Sequence, residues 1–440
     1  MVSSFEHTLI KNIKLSSIGP SNATGTDVTH QPTSMDLTMK LHYIFGVYIF
    51  RSQAVLGLSV KHIKESMFFW LNEYYVTCGR FRRTEAGRPY LKCNDCGIRF
   101  VEAQCDKSVD EWLEMRDCSL DRLLVYHQPI GPEMSFSPTV YIQITWFKCG
   151  GMSLGISWAH ILGDIFSVCD FMNKWNPFMT ISEASTLPNS TKLPSPITVT
   201  PKSQISSQLS NSEDPLSIKR VNSVGDHWIT PNNCKMDSFS FHLTPTQISL
   251  LQSKISGTIP IFESLCAIIW KCVAQIRDGS GPNKVTICKK DPHNWKLSGQ
   301  LSNSQIISCA EANFPIKDAN LEKLAAILVK EGKDERGAIE EAMERENGVG
   351  DFIVYGANLT FVNMEEADVY GLELKADFVS FGIQGVGDEG CVVVIPEAKD
   401  FDKDVQKLGR FVTITLPEDE MAKLKPELKK NDFLLETNFE

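Results

Sequence analysis

Hydrophobic and polar positions follow two different periods in the first 180 residues. Residues 47–51 and 139–148 are rich in β-branched and aromatic side chains with a period of two, which is typical of half-buried strands. Residues 59–75, between these strands, place apolar side chains three and four positions apart, which predicts an amphipathic helix. Strands and helices that alternate in this way indicate an α/β fold.

The pattern changes in the middle of the chain. Ser, Thr, Pro and Asn dominate residues 180–231, and this composition favours extended, exposed backbone. We therefore expect an N-terminal domain over residues 1–179, a Ser/Pro-rich crossover linker over 180–235 and a C-terminal domain over 236–440.

Regular patterning resumes in the C-terminal part. Thr244 and Pro245 carry the N-cap and first-position preferences of a helix that runs to about residue 256. The charged residues 320–347 predict two exposed helices, broken near Gly332. The other predicted elements are strands at 238–243, 358–362, 391–395 and 411–416, a buried helix at 263–277, a hairpin turn at 385–390 and a last helix that starts at 417.

The composition of the chain excludes several classes of protein. A chain of 440 residues with 42% hydrophobic and 22% charged residues can bury two cores. Its net charge of −10 argues against nucleic acid as a partner. No apolar run reaches transmembrane length, and the first residues lack the apolar core of a secretion signal. Thirteen scattered cysteines indicate reduced thiols, as in the cytosol.

The sharpest local motif joins His160 and Asp164 in an H-x-x-x-D spacing, directly after an apolar strand and before a short helix. A histidine at such a corner can present its imidazole to a cleft as a general base for an alcohol or amine. Asp164 would then order the turn. The alternative is a buried histidine with a purely structural role, and the spacing alone does not decide between the two.

Two other motifs are weaker candidates for a functional site. Cys93 and Cys96 have half the spacing of a zinc site, but no second pair of ligands follows, so we expect no metal site. The glycine-rich residues 385–390 lie between two predicted strands with no helix after them, which favours a turn over a phosphate-binding loop.

Taken in order along the chain, these motifs resemble the BAHD acyltransferases of plants. The resemblance rests on H-x-x-x-D at His160 and Asp164, on the crossover, and on Asp377-Phe378 near the C-terminus, where the family has D-F-G-W-G. Several longer runs, among them residues 32–43, 143–151 and 355–363, are similar to the eceriferum (Glossy) clade of wax-deficiency proteins.

The resemblance implies a fold and roles for individual residues. The fold would be two similar chloramphenicol-acetyltransferase-like domains, each with a mixed sheet and flanking helices, with a tunnel for acyl-CoA between them. His160 would be the general base, Asp164 its structural support, and Asp377 and Phe378 a structural motif. Asp377 would pair with a basic residue, and His160 would face a cavity at the domain interface.

This chain also departs from the family pattern. Ile165 replaces the glycine after the motif aspartate, and Val379, Ser380 and Phe381 stand where Gly-Trp-Gly is expected. Lysines occur where the family has arginine, so the residues left to contact CoA are Lys289, Lys290 and Asn303.

Two functions follow from the resemblance. The first is a non-catalytic accessory partner of the fatty-acid elongase condensing enzyme, which promotes very-long-chain elongation for cuticular wax at the cytosolic face of the endoplasmic reticulum. The second is an acyl-CoA-dependent O- or N-acyltransferase in the soluble cytosol, with His160 as base. In either case we expect an isolated monomer with no bound cofactor and with acyl-CoA as substrate or ligand.

Overall fold

The structure is a computed structural model that describes residues 9–115, 118–179, 213–255, 259–277, 281–293, 301–330, 332–398 and 408–430. In chain order, its strands are β1 Ile10–Ile18, β2 Thr29–His30, β3 Tyr43–Phe50, β4 Arg80–Arg83, β5 Pro89–Lys92, β6 Ile98–Cys105, β7 Val140–Phe147, β8 Met152–Ala159, β9 Lys219–Arg220, β10 Met236–Leu243, β11 Lys284–Lys289, β12 Ile306–Glu311, β13 Phe352–Ile353, β14 Leu359–Asn363, β15 Phe378–Gln384, β16 Cys391–Pro396 and β17 Arg410–Pro417.

The α-helices lie on the faces of the sheets. They are α1 Ser34–Thr38, α2 Val60–Trp70, α3 Val109–Glu114, α4 Ile165–Asn173, α5 Asn176–Met179, α6 Pro245–Ser253, α7 Ile261–Ile276, α8 Leu321–Lys330, α9 Arg336–Arg345 and α10 Glu418–Lys430. Within the described parts of the chain, each helix is too short or too polar to cross a lipid bilayer.

Two six-stranded mixed sheets form the two domains. The first has the order β1-β6-β7-β8-β3-β15, in which only β6 and β7 are parallel. The second has the order β10-β17-β16-β14-β11-β12, in which β14 runs parallel to both β11 and β16. The fold is thus the predicted two-domain arrangement of mixed sheets and flanking helices.

One strand crosses between the domains. β15 comes from the C-terminal part of the chain, yet it pairs antiparallel with β3 and completes the first sheet. The first sheet therefore contains one strand from residues 236–440. The pairing depends on Gly46, which lies opposite Phe381, because a Cβ at Gly46 would come within 2.7 Å of the Phe381 ring.

Local sequence signals predict most elements near their observed bounds. Thr244 caps α6 through a capping box with Gln247, and Pro245 is the first helical residue, as predicted. The apolar α7 is buried along most of its length, also as predicted. The two charged helices are α8 and α9, and Gly332 lies between them.

The strand predicted over 139–148 is β7. It forms a hairpin with β8, which leads to His160, because Gly150 turns the chain with a φ of 81°. The hairpin predicted at 385–390 is wrong, since β15 and β16 belong to different sheets. Spacing along the chain cannot distinguish a hairpin turn from a crossing between sheets.

The linker is described only in its second half, since residues 180–212 lie outside the described residues. From residue 213 onward it packs on both domains. β9 pairs with β13, and Trp228 is fully buried and packs on Phe81 with a ring separation of 4.9 Å. The linker therefore forms part of the domain interface.

Candidate functional site

The end of β8 places His160 between the two domains. β8 is buried at every position and ends at Ala159, and a single 3-10 turn, His160–Leu162, leads to α4. The backbone N–H of His160 donates to the carbonyl of His42 at 3.0 Å. His160 itself has no solvent exposure.

The imidazole of His160 is hydrogen-bonded to a residue of the C-terminal domain. Its Nε2 lies 2.9 Å from the hydroxyl of Tyr355, and that hydroxyl also accepts a hydrogen bond of 2.7 Å from Gln305 Nε2. Tyr355 thus joins the side chains of His160 and Gln305, and the tautomer of the imidazole decides whether His160 Nε2 or the hydroxyl donates.

Burial makes His160 a poor base. It lowers the pKa of His160 to about 4, because burial disfavours the charged imidazolium. A general base works best with a pKa near the working pH. In this conformation the ring is neutral at pH 7, and its Nε2 is already hydrogen-bonded to Tyr355.

Asp164 holds the motif against the second domain. One carboxylate oxygen caps α4 by accepting from the N–H of Ser167 at 2.9 Å. The other accepts from the backbone N–H groups of Ser304 and Gln305, at 2.8 and 2.9 Å. Burial raises the pKa of Asp164, and these hydrogen bonds oppose that rise. Asp164 is therefore a structural link between the two domains.

Gly163 allows this close approach. A Cβ at residue 163 would lie 2.9 Å from Ser167 Cβ and 3.0 Å from the backbone nitrogen of Ser302. The Ser302 carbonyl accepts from the N–H of Asp164 at 3.1 Å and from the Ser167 hydroxyl at 2.8 Å. The glycine before the motif aspartate thus lets the loop at 301–305 dock on the start of α4.

Asn303 belongs to a buried cluster at the domain interface, whose other members are Asp36, His42, His160, Asp164, Gln305 and Tyr355. Its side-chain amide donates to the carbonyl of His160 and to Asp36 Oδ1, both at 2.9 Å. Asp36 also accepts from the N–H of Thr33 in a capping box at the start of α1. The amide of Asn303 therefore fixes the backbone at His160, and its contact with CoA stays a prediction.

The two lysines predicted to contact CoA lie at the end of β11. Lys290 is exposed, and its ammonium donates to the carbonyl of Glu366 at 3.2 Å. Lys289 is half-buried. The structure thus leaves the CoA role of these lysines a prediction.

His42 separates the buried cluster from an open cavity. Its Nε2 accepts from the N–H of Val354, and its Nδ1 donates to the carbonyl of Gly385, each at 2.9 Å. Burial and the neighbouring His160 lower the pKa of His42 to about 3. Leu41, Tyr43 and Gly385 line the cavity beyond it.

This cavity, of about 410 Å³, lies between the first domain, the linker and β15. Its other lining residues are His127, Pro129, Trp228, Ile229, Thr230, Asn232, Cys234, Met236, Ser238, Ile383, Gln384, Val386 and Thr415. His160 lines neither this cavity nor the more open one beside Arg83 and Arg220. His160 thus lies at the domain interface, as predicted, and that its ring faces a cavity stays a prediction.

Comparison with known proteins identifies the family. Residues 10–288 match the model of the Transferase family. The chain is 44% identical to Protein ECERIFERUM 26 of Arabidopsis thaliana, over 96% of each protein. The chain belongs to the BAHD acyltransferase family.

Solved structures show the same fold. Vinorine synthase superposes with a TM-score of 0.65 at 17% identity and covers 96% of this chain and 98% of its own. TRI101 of F. graminearum, solved with coenzyme A and deoxynivalenol, superposes with a TM-score of 0.66 at 13% identity and covers 92% and 98%. At these identities the similarity establishes the fold of this BAHD protein only.

The second BAHD motif is a surface contact in this chain. Asp377 accepts from the backbone N–H of Arg51 at 3.0 Å and from its guanidinium at 3.2 Å, so it has the predicted basic partner. Phe378 makes an edge contact with Phe411 at 5.4 Å between ring centres. Phe381 fills the space above Gly46.

Four residues near His160 received no role from the sequence. Tyr355, Gln305, His42 and Asp36 all lie within the buried cluster. Tyr355, His42 and Asp36 occur in runs that resemble the BAHD family, which was the one available signal. Their contacts join residues that are 50 to 312 positions apart, and spacing along the chain does not reveal such contacts.

Proposed function

We propose that this BAHD protein promotes very-long-chain fatty-acid elongation for cuticular wax as an accessory partner of an elongase condensing enzyme. The proposal places it at the cytosolic face of the endoplasmic reticulum. Its similarity to Protein ECERIFERUM 26 over nearly the whole chain supports a role in wax formation.

The burial of His160 and its contact with Tyr355 are the main support for a non-catalytic function. A general base must lie within hydrogen-bond reach of the acceptor's hydroxyl or amine. Here Nε2 is 2.9 Å from Tyr355, and the ring is wholly buried. The replaced residues at 379–381 support the same conclusion, since large side chains stand where the family has glycines.

Co-expression with a condensing enzyme tests this proposal. A host that lacks very long acyl chains would produce the condensing enzyme with and without this protein, and its fatty acids would be profiled. We expect longer chains only when both proteins are present. Unchanged chain lengths with several condensing enzymes would count against the accessory role.

The variant His160→Ala separates the two candidate functions. We expect it to keep the chain-length effect, because a surface contact with a partner depends on interface residues and not on one buried ring. His127→Ala, which removes an imidazole from the open cavity, is the matched control. Thermal melting must first show that both variants fold. Complete loss of the effect in a folded His160→Ala protein would favour the enzyme.

The alternative is an acyl-CoA-dependent O- or N-acyltransferase. The structural setting of Asp164 favours it, since the motif is firmly held between two domains. If His160 is the base, its removal should lower CoA release about 10²- to 10⁴-fold. Purified protein with a panel of acyl-CoAs and acceptors tests this function independently of elongation.

A further inference from the structure

The hydroxyl of Tyr355 occupies the place that an acceptor's hydroxyl would need. It lies 2.9 Å from His160 Nε2, which is the separation a base requires for proton transfer. Tyr355 has no solvent exposure, and Gln305, which holds it, is 1% exposed. An external alcohol could reach His160 only by displacing this side chain.

The chain around Tyr355 holds the side chain firmly. Its ring packs edge-on against His42 with a centroid separation of 5.1 Å, and its carbonyl accepts from the N–H of Gly387 at 2.8 Å. Gly356 follows with a φ of 83°, and a Cβ there would lie 2.5 Å or less from the backbone of Gly387. Such a constrained turn leaves Tyr355 little freedom to swing away.

We propose that Tyr355 acts as an internal substitute for the acceptor and so blocks acyl transfer at His160. Residue 355 then decides whether the site can act on acyl-CoA. The inference rests on the proposed non-catalytic function and names the side chain that causes it. CoA release tests it, whereas acyl chain length tests the proposed function, so the two can fail separately.

Tyr355 could in principle act as a nucleophile itself. Its oxygen would attack the thioester carbonyl, its proton would pass to His160, and the thiolate of CoA would leave and take that proton. Two observations argue against this step. Burial raises the pKa of Tyr355 well above its usual value, and Tyr355 lines neither described cavity.

The experiment measures CoA release from palmitoyl-CoA with water or 1-octanol as acceptor. Chromatography would follow free CoA, and mass spectrometry would detect octyl palmitate and any acyl group on the protein. The proteins are wild type, Tyr355→Ala and the double variant Tyr355→Ala with His160→Ala. Tyr48→Ala is the matched control. Tyr48 lies in β3 and is as buried as Tyr355, but its hydroxyl has no hydrogen-bond partner among the described residues.

We expect wild type and the Tyr48→Ala control to release CoA at the uncatalysed rate. Tyr355→Ala should release CoA at least about tenfold faster, and the double variant should return to the uncatalysed rate. A folded Tyr355→Ala protein without this gain would overturn the proposal. So would His160-dependent turnover by wild type, or an acyl ester on Tyr355. If Tyr355→Ala does not fold, Gln305→Leu decides, because it keeps the ring but removes the donor that holds its hydroxyl; the proposal then requires a gain of the same sign.

Discussion

Two histidines at the domain interface have similar electrostatics and different surroundings. The Nε2 of His160 is hydrogen-bonded to Tyr355, and His160 lines neither of the two cavities described above. His127 lines the open cavity, and its Nδ1 lies 2.9 Å from the hydroxyl of Ser157. Burial lowers the pKa of each histidine to about 4.

The comparison shows that a motif identifies a residue but not its accessibility. His160 has the family spacing to Asp164, yet residues of the other domain enclose it. His127 has no motif, but Tyr43 and Phe45 pack edge-on against its ring, with centroid separations of 4.7 and 4.9 Å, and the cavity lies beside it. Residues from distant parts of the chain, above all Tyr355, cause this difference in accessibility between His160 and His127.

The largest expected effect comes from Lys40, which helps to close the interface beside His160. Its ammonium lies 2.8 Å from Asp351, and both side chains are at most 3% exposed. It also donates to the carbonyl of Gly350 at 2.7 Å. Lys40→Ala would leave a buried carboxylate unpaired, so we expect it to lower the free energy of unfolding by about 4 kcal/mol.

Denaturant unfolding of Lys40→Ala measures this loss. Lys61→Ala is the matched control, because its pair with Glu65 is exposed and should contribute less than about 0.5 kcal/mol. Equal effects of the two variants would show that Lys40 does not close the interface. Opening of the interface should also make His160 accessible, which amide exchange at residues 159–164 would detect.

The next effect concerns Asp164, which links α4 to the loop at 301–305. Asp164→Ala removes a helix cap and leaves the N–H groups of Ser304 and Gln305 without their acceptor. We expect a loss of about 3 kcal/mol in the free energy of unfolding. Asp164→Asn keeps the cap and should cost about half as much. Stability unchanged in both variants would contradict the linking role.

Local elements could be predicted from the sequence because their causes are local. The capping box of Thr244 and Gln247 involves residues three positions apart, and the buried face of α7 recurs with the helical period. β15 pairs with β3 across more than 300 residues of chain. No short-range pattern encodes such a pairing, so the place of β15 in the first sheet could not be predicted.

The same limit applies to the site. His160, Asp164 and Asp377 could be found because spacing and resemblance mark them. Asn303 was also marked by the family pattern, but the bonds of its amide to the carbonyl of His160 and to Asp36 could not be predicted, and its contact with CoA stays a prediction. Enclosure by Tyr355 depends on tertiary packing, which the order of residues does not display.

A smaller effect should appear in the pH dependence of stability. His160 and His127 have folded pKa values of about 4, below the value of 6.5 expected in the unfolded chain. Between these values the unfolded chain binds more protons, so stability is complete above pH 6.5 and falls as the pH decreases. Each histidine should contribute a slope of about 1 kcal/mol per pH unit near pH 5.

Unfolding experiments from pH 7 to pH 5 on His160→Gln and His127→Gln measure these slopes separately. Each variant should flatten the curve by one histidine's share, while Lys61→Ala, which keeps all nine histidines, should leave it unchanged. If only His127→Gln flattens the curve, His160 is already solvated and the comparison between the two sites fails.

The smallest effect should come from the second family motif. Arg51 and Asp377 form an ion pair of 3.2 Å with side-chain exposures of 49% and 33%, so water screens their charges. Arg51 also pairs with exposed Asp110, which offers its guanidinium a second partner. Arg51→Ala should therefore lower the free energy of unfolding by less than about 1 kcal/mol. Because the backbone of Asp377 still donates to the carbonyl of Ile49 at 2.9 Å, β15 should keep its place beside β3.

The measured loss should shrink further in 1 M salt, where a surface pair is screened and the buried pair of Lys40 is not. A salt-independent loss as large as that of Lys40→Ala would mean that Asp377 holds the domains together, and the contrast between a surface motif and a buried cluster would have to be abandoned.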